Sequence, residues 1–300
     1  MIPISHIIKW REYANWPTDE QIEQDLILSR ILIELFSDDF LRNELAFRGG
    51  TALHKLFFNP PARYSEDIDL VRTNVGPIKK VVDAIREKLD NWLGNPAYKR
   101  NHGRFTLYYN FEAETIAAPI MKIKIEINTR EHSSLFGIHN KRFIVENPWF
   151  TGAADIKTYL LEELLSTKLR ALYQRKKGRD LFDLALALDA FSNLDASKII
   201  QGFSFYLAKE NKKITRAQFE ENFYAKTQDK TFLNDITQLI RPLGMYSSLL
   251  FTDRNKIDME KAARDVYETF IRKLPGDPWK SKSFTDICWV VEPKKTYYTK

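Results

Sequence analysis

The spacing of hydrophobic residues divides the chain into a first half of mixed character and a second half of helical character. Apolar residues recur every three or four positions over residues 19–36, which predicts an amphipathic helix with Thr18 as its N-cap. Strict alternation over residues 120–128 predicts a strand with one buried face. Shorter patterns predict strands over residues 45–48, 68–72 and 104–112 and helices over residues 51–58, capped by Thr51, and 77–93.

Beyond Pro148 the pattern changes to helical segments joined by polar turns. Helices are predicted over residues 158–177, 180–191, 196–210, 215–225, 230–240 and 258–273, whereas residues 275–300 fit no pattern. We therefore expect an α+β domain over residues 1–150 and a helical domain over residues 151–300.

Composition limits the possible classes of protein. The 300 residues include one cysteine, Cys288, which excludes a disulfide framework and a cysteine-based zinc site. No apolar stretch is long enough to span a bilayer and the N-terminus does not resemble a signal peptide, so we expect a cytoplasmic protein without a membrane role.

The chain carries 46 Lys and Arg against 40 Asp and Glu, a net charge of +6, and this excess lies in the second half. The excess fits a solubilising surface or a face for nucleic acid.

A pair of carboxylates is the strongest local feature. Asp67 and Asp69 lie two residues apart on a predicted strand, so they point the same way while Ile68 and Leu70 face the core. Adjacent like charges are costly unless a cation lies between them, and a divalent metal ion is a common solution. An exposed acidic strand end is the alternative.

Two further segments give this pair a context. Gly49 and Gly50 lie between a predicted strand and a predicted helix, where backbone N–H groups could approach a phosphate, although a plain tight turn also fits. Glu126 shares one face of its strand with Lys122 and Lys124. If that strand lies beside the first, Glu126 becomes a third carboxylate; otherwise its strand has a simple solvated face.

A lysine in the second half is also unusual. Lys168 falls within the apolar stripe of its predicted helix, from which it could extend to the rim or contact a phosphate. If it binds phosphate, its replacement by alanine should remove activity without loss of thermal stability. A basic run that starts at Arg175 forms the turn before the next predicted helix, which Asp180 and Asp183 open. We expect both aspartates to point towards the same surface as this turn.

Four segments in this order closely resemble the AbiEii/AbiGii-type toxin nucleotidyltransferases of the DNA polymerase β-like superfamily. They are residues 47–53, 63–70, 122–128 and 161–184, and the resemblance extends over about residues 19–190. It implies a mixed-sheet nucleotidyltransferase core with flanking helices, followed by a helical domain that completes the active site and is a candidate surface for the acceptor.

The resemblance also implies roles for individual residues. The implied nucleotide-binding residues are Gly49, Gly50, Thr51, Ser65, Lys168 and Arg175. The implied metal ligands are Asp67, Asp69 and Glu126, which would hold Mg²⁺. The implied catalytic residues are Asp67, Asp69, Lys168 and Asp180.

The function implied is transfer of a nucleoside monophosphate from an NTP to a macromolecular acceptor. RNA is the first choice, specifically the 3′ end of tRNA, in the setting of a toxin–antitoxin or phage-defence system with a separate antitoxin protein. Two alternatives stay open. One is a nucleotidyltransferase that modifies protein by AMPylation, and the other is a non-catalytic module of the same fold that binds NTP or nucleic acid.

Overall fold

The computed structural model describes residues 2–114, 119–240 and 257–281. These residues form two units, the first containing residues 2–164 and 237–240 and the second containing residues 165–236 and 257–281. The expected boundary near residue 150 lies between two paired strands of the first unit. No helix in the described ranges is long and apolar enough to cross a membrane.

A seven-stranded mixed sheet organises the first unit. Its strands are β1 (Leu45–Arg48), β2 (Asp67–Arg72), β3 (Ala97–Asn101), β4 (Arg104–Glu112), β5 (Ile120–Asn128), β6 (Ile138–Asn147) and β7 (Phe150–Tyr159). Their order across the sheet is β3-β4-β5-β2-β1-β7-β6. The pairs β2–β5 and β1–β7 are parallel, whereas the other neighbouring pairs are antiparallel. The predicted α+β class is therefore confirmed.

Helices of the first unit pack against this sheet. They are α1 (Ile4–Trp10), α2 (Asp19–Ser37), α3 (Asp39–Glu44), α4 (Gly49–Leu56) and α5 (Lys79–Leu93). The predicted cap of α2 is confirmed, because the Thr18 hydroxyl accepts from the Gln21 N–H and the Gln21 side chain accepts from the Thr18 N–H. Such a capping box satisfies N–H groups that a helix start leaves without partners. One large apolar cluster joins residues of α2 and α5 to the buried faces of β2, β4 and β5.

The predicted N-cap at Thr51 is wrong. Helix α4 begins at Gly49, directly after the extended residue Arg48, so Thr51 lies in its first turn. Gly49 has φ +84°, a conformation that glycine adopts without the steric cost of a side chain. The chain therefore turns from β1 into the helix two residues earlier than expected.

The second unit is helical. Its helices are α6 (Leu161–Gln174, which starts in the first unit), α7 (Gly178–Ala190), α8 (Ala196–Ala208), α9 (Arg216–Thr227), α10 (Lys230–Asn234) and α11 (Met259–Thr269), followed by a 3₁₀ turn (Ile271–Lys273). The helix predicted over 230–240 is shorter, because the chain returns at Ile240 to a backbone bridge with Arg63 in the first unit. Most of the unassigned segment 275–300 lies outside the described residues.

Strands β6 and β7 were not predicted. In β6 the residues that alternate into the core are confined to its second half, beginning at Phe143. In β7 the small residues Gly152, Ala153 and Ala154 weaken the contrast between its two faces. Both strands belong to the same sheet as the carboxylate pair. The helical character of the second half therefore begins only after Tyr159.

Candidate active site

The two aspartates of β2 lie on the same face of the strand, as predicted. Ile68 and Leu70 alternate with them and are buried, so the hydrophobic side of β2 is fixed by the core. Asp67 keeps 35% of its side chain exposed. The strand therefore holds one carboxylate that solvent and small ligands can reach, Asp67, beside the half-buried Asp69.

Strand β5 lies parallel to β2 and adds a third carboxylate, which confirms the conditional prediction for Glu126. The register pairs Asp69 with Glu126 and Asp67 with Lys124. The Lys124 Nζ is 3.3 Å from Asp67 Oδ2 and 3.2 Å from Glu126 Oε2, so one ammonium group bridges the two strands. The arrangement is an acidic cluster held together by a lysine.

The acidic cluster shifts the protonation of its members. Burial raises the pKa of Asp69, and the charge of Asp67 raises it further, outweighing the nearby guanidinium of Arg48. Burial lowers the pKa of Lys124, but the two carboxylates that it bridges outweigh burial and raise it above its usual value. The negative charges of Asp67 and Glu126 therefore favour an added cation near Asp69.

The glycine turn between β1 and α4 contacts this cluster directly. A Cβ atom on Gly49 would lie 2.3 Å from Asp69 Oδ2, so any other residue would displace the carboxylate. The Thr51 hydroxyl donates to the carbonyl oxygen of Asp67 at 2.5 Å and lies 2.8 Å from Ser65 Oγ. Four of the predicted nucleotide-binding residues, Gly49, Gly50, Thr51 and Ser65, thus lie on the two segments that form the carboxylate site.

The structure corrects the expectation for Lys168. Its side chain does not extend to the rim but is buried, with Nζ 2.7 Å from Asp183 Oδ2 and 3.3 Å from Asp180 Oδ1. Both aspartates are fully buried and form ion pairs with this lysine, and Asp180 also contacts the preceding turn. Arg175 holds the other side of Asp180 through two hydrogen bonds of 2.7 and 2.8 Å. This second cluster is a buried ion-pair network.

Another buried lysine in the second unit was missed by sequence analysis. Lys226 donates to the carbonyl oxygens of Leu172 and Tyr173 in the last turn of α6. Burial lowers the pKa of Lys226 to about 8, although the nearby Asp180 acts in the opposite direction. The pKa of Asp180 itself lies below its usual value, because the charges of Lys168 and Arg175 outweigh its burial. Lys226 lies on a helix with a weak apolar stripe, so its sequence gave no signal of burial.

Comparison with known proteins identifies the family. The sequence profile of the nucleotidyl transferase AbiEii toxin family, from type IV toxin–antitoxin systems, matches residues 30–278. The chain belongs to this family. The resemblance predicted from four short segments is thereby confirmed, as is the assignment of the chain as a nucleotidyltransferase.

One solved structure supports the same overall fold. MenT4, a nucleotidyltransferase toxin from Mycobacterium tuberculosis H37Rv, is similar over 92% of each chain, with 19% identity and a TM-score of 0.61. JHP933 from Helicobacter pylori matches over 84% of this chain and 90% of its own, with 17% identity and a TM-score of 0.48. A comparison with curated proteins finds no match.

Nucleotidyltransferases of this kind use a divalent metal ion, and the donor chemistry of the AbiEii-family acidic cluster fits one. Mg²⁺ prefers oxygen ligands and is commonly bound by one or two carboxylates together with substrate phosphates and water. Asp67 and Asp69 provide such a pair. Within the described ranges, no group of three or more His, Cys, Asp or Glu side chains is arranged to hold a metal ion. The role of Glu126 as a third ligand stays a prediction.

Two arginines next to the acidic cluster were not singled out by sequence analysis. Arg48 directly precedes the glycine turn and donates to Glu131 Oε2 at 2.5 Å. Arg104 Nε lies 2.9 Å from Glu126 Oε1. The position of Arg48 beside two glycines was a usable signal. Arg104 could be found only from the register of β4 on β5.

Proposed function

We propose that this AbiEii-family nucleotidyltransferase moves a nucleoside monophosphate from an NTP to the 3′ end of an RNA, with tRNA as the first candidate. The observation that carries the proposal is the acidic cluster: Asp67 and Asp69 on one strand, Glu126 on the neighbouring parallel strand, and a glycine turn in contact with Asp69. A phosphate-binding turn beside clustered carboxylates suits phosphoryl chemistry, in which catalysis is mainly positioning and charge neutralisation.

Each residue of the acidic cluster has a distinct task in this proposal. Gly49, Gly50 and Thr51 at the start of α4 bind the triphosphate through backbone N–H groups at the positive end of the helix. Asp67 and Asp69 would hold Mg²⁺, which supplies neutralisation of phosphate charge when bound. The acceptor oxygen forms a bond to the α-phosphorus as the bond to pyrophosphate breaks. The acceptor proton passes to a carboxylate of the cluster.

Lys168 and Asp180 are proposed as further catalytic residues, with Lys168 and Arg175 as nucleotide ligands. The support is that Arg175 keeps about half of its side chain exposed (48%) while it binds Asp180, so an anion can reach its guanidinium. Lys168 would have to exchange a buried carboxylate for a phosphate. The prediction that the helical domain completes the active site is not tested by these observations. Activity measurements on variants of Lys168 and Asp180 would test it.

The proposed setting is a toxin–antitoxin system. The family assignment implies an NTP substrate and a separate antitoxin. We propose that transfer to RNA is the toxic activity and that the antitoxin opposes it.

The test is to incubate the protein with each α-labelled NTP, Mg²⁺ and total RNA beside an Asp67→Asn/Asp69→Asn variant. We expect label on RNA with the unchanged protein and none with the variant. Label on protein instead would replace the proposal with an AMPylating enzyme. Absence of label with every nucleotide would overturn the catalytic assignment in favour of a binding module.

A further inference from the structure

The order of the strands separates two sides of the acidic cluster. The glycine turn lies at β1, the carboxylates lie on β2 and β5, and β4 and β3 continue from β5 to the far edge of the sheet. In nucleotidyl transfer the attacking and leaving oxygens lie roughly in line across the α-phosphorus. If the glycine turn holds the triphosphate at the β1 side, the acceptor has to approach from the β5, β4 and β3 side.

The register shows which side chains share the face of the acidic cluster on that side. Across the sheet, Asp67 is followed by Lys124, then Tyr108 on β4. In the next row Asp69 is followed by Glu126, Thr106 and Lys99, the last on β3. Residues directly opposite each other on paired strands point to the same face, and alternate residues along a strand do likewise. Lys122 and Arg104 therefore belong to this face as well.

The chemistry of this face suits single-stranded RNA. Tyr108 is half-buried, and the ammonium group of Lys122 lies 5.5 Å from the centre of its ring. Lys99 is exposed, and Arg104 keeps 55% of its side chain exposed while it pairs with Glu126. The surrounding segment, residues 91–111, contains three Lys and Arg and no Asp or Glu. Proteins bind single strands by such a combination of aromatic stacking and cations along the backbone.

We propose that the single-stranded 3′ end of the RNA acceptor lies across the β5, β4 and β3 strands on the face of the acidic cluster. A base stacks on Tyr108, and Lys99, Arg104 and Lys122 contact its phosphates. This inference rests on the proposed function, since it assigns the acceptor site of that reaction. It places the acceptor on a net-neutral half of the sequence, not on the half that carries the excess of positive charge.

The test compares RNA binding, measured by fluorescence anisotropy of a short labelled single-stranded oligoribonucleotide, with transfer of label from NTP. Tyr108→Ala should weaken RNA binding about 5- to 150-fold, the range measured for loss of one stacked base, and raise KM for RNA without changing KM for NTP. Tyr108→Phe keeps the ring and should bind as the unchanged protein does. Lys122→Ala should reduce the slope of log affinity against log salt by about 0.7.

Lys141 provides a matched control. It is also exposed and lies 4.7 Å from the centre of the Phe57 ring, but it is on β6 at the opposite edge of the sheet. Lys141→Ala should leave RNA binding and its salt dependence unchanged. Equal losses in the Lys122 and Lys141 variants would overturn the proposal, because they would show only a general effect of charge.

The remaining outcomes distinguish an error in the proposed RNA-binding surface from an error in the proposed function. If the unchanged protein labels RNA and Tyr108→Ala binds and labels RNA equally well, the surface is wrong and the proposed function stands. If the unchanged protein labels protein and not RNA, or labels nothing, the proposed function fails and the inference fails with it. A lower melting temperature in Tyr108→Ala together with a raised KM for NTP would also count against a site for RNA alone.

Discussion

Asp67 on β2 and the two aspartates of α7 are each paired with a lysine, but their surroundings differ. In the acidic cluster, Asp67 and its partner Lys124 keep 35% and 29% of their side chains exposed. In the second unit, Lys168 keeps 7% and Asp183 is fully buried. Ion pairs near the surface contribute about 0–1 kcal/mol, whereas removing one partner of a buried pair costs about 3–5 kcal/mol. Residues with similar chemistry in the sequence are therefore expected to respond differently to mutation.

The largest expected effect is on catalysis by the acidic cluster. We predict that Asp69→Asn lowers nucleotidyl transfer by about 100- to 1000-fold, the scale of losing a major electrostatic contribution to the transition state. Its stability should be retained or increased, because the raised pKa of Asp69 shows that its folded environment favours the uncharged form. Label transfer and thermal melting measure the two effects.

Asp83→Asn is the matched control for this prediction. Asp83 is an exposed aspartate on α5 that pairs with Lys79 at 2.6 Å. Its variant should keep both activity and stability. A marked drop in the melting temperature of Asp69→Asn would instead show that the acidic cluster serves the fold.

The buried cluster should behave in the opposite way. We predict that Lys168→Met lowers the free energy of unfolding by about 3–5 kcal/mol, because Asp183 and Asp180 lose their ammonium partner in a buried site. The burial of Lys168 thus argues against the expectation that, if this lysine binds phosphate, its variant would keep its thermal stability. Urea denaturation measures the loss.

A double variant distinguishes loss of an ion pair from loss of packing. Lys168→Met/Asp183→Asn removes one uncompensated charge and should recover part of the lost stability, giving a coupling energy between the two sites. Additive losses would mean that the lysine and Asp183 act independently. In that case the contrast between the two clusters would disappear.

The difference between the clusters marks a limit of sequence analysis. The alternation of apolar residues predicted strand β5 and the face on which Glu126 lies. The apolar stripe of α6 drew attention to Lys168. Both patterns are visible in the sequence because the core selects apolar side chains at regular spacing. The pairing of Asp69 with Glu126 requires β5 to lie next to β2, although α5 and two strands separate them along the chain. Local sequence patterns do not indicate such a long-range contact. The partners of Lys168 depend likewise on how α6 and α7 pack.

Sequence analysis located the turn at Gly49 but did not show why glycine is required there. Two adjacent glycines indicated a phosphate-binding turn, whereas the structure shows that Gly49 also makes room for Asp69. The requirement comes from a side chain twenty positions away, on a neighbouring strand. Patterns local to the sequence contain no record of such a contact.

Gly49 gives the next prediction, of intermediate size. Gly49→Ala should lower nucleotidyl transfer by about 100-fold, because its Cβ would displace the Asp69 carboxylate and misplacement of about 1 Å has effects of that order. The variant should also lose about 1–2 kcal/mol of folding stability, because alanine is disfavoured at φ +84°. Steady-state kinetics and urea denaturation measure the two losses.

Gly94 is the matched control for Gly49. It has φ +76° and no atom within 4 Å of the position of its Cβ. Gly94→Ala should therefore lose a similar amount of stability and keep full activity. Equal activity of the two alanine variants would show that Asp69 tolerates displacement, and the acidic cluster would lose its proposed dependence on this glycine.

The last prediction is confined to a window of pH; it concerns Lys226 and tests whether the second unit is sealed from solvent. Because the pKa of Lys226 is about 8 in the folded protein and 10.5 ordinarily, the unfolded chain binds more protons between these pH values. Stability contributed by Lys226 should therefore rise with pH across this window, by at most about 1.4 kcal/mol per pH unit, as the cost of burying its charge is relieved. The measurement is the free energy of unfolding of the unchanged protein minus that of Lys226→Met. A difference that stays constant from pH 8 to pH 10.5 would mean that Lys226 is solvated, and the burial of the neighbouring Asp180 would then be in question.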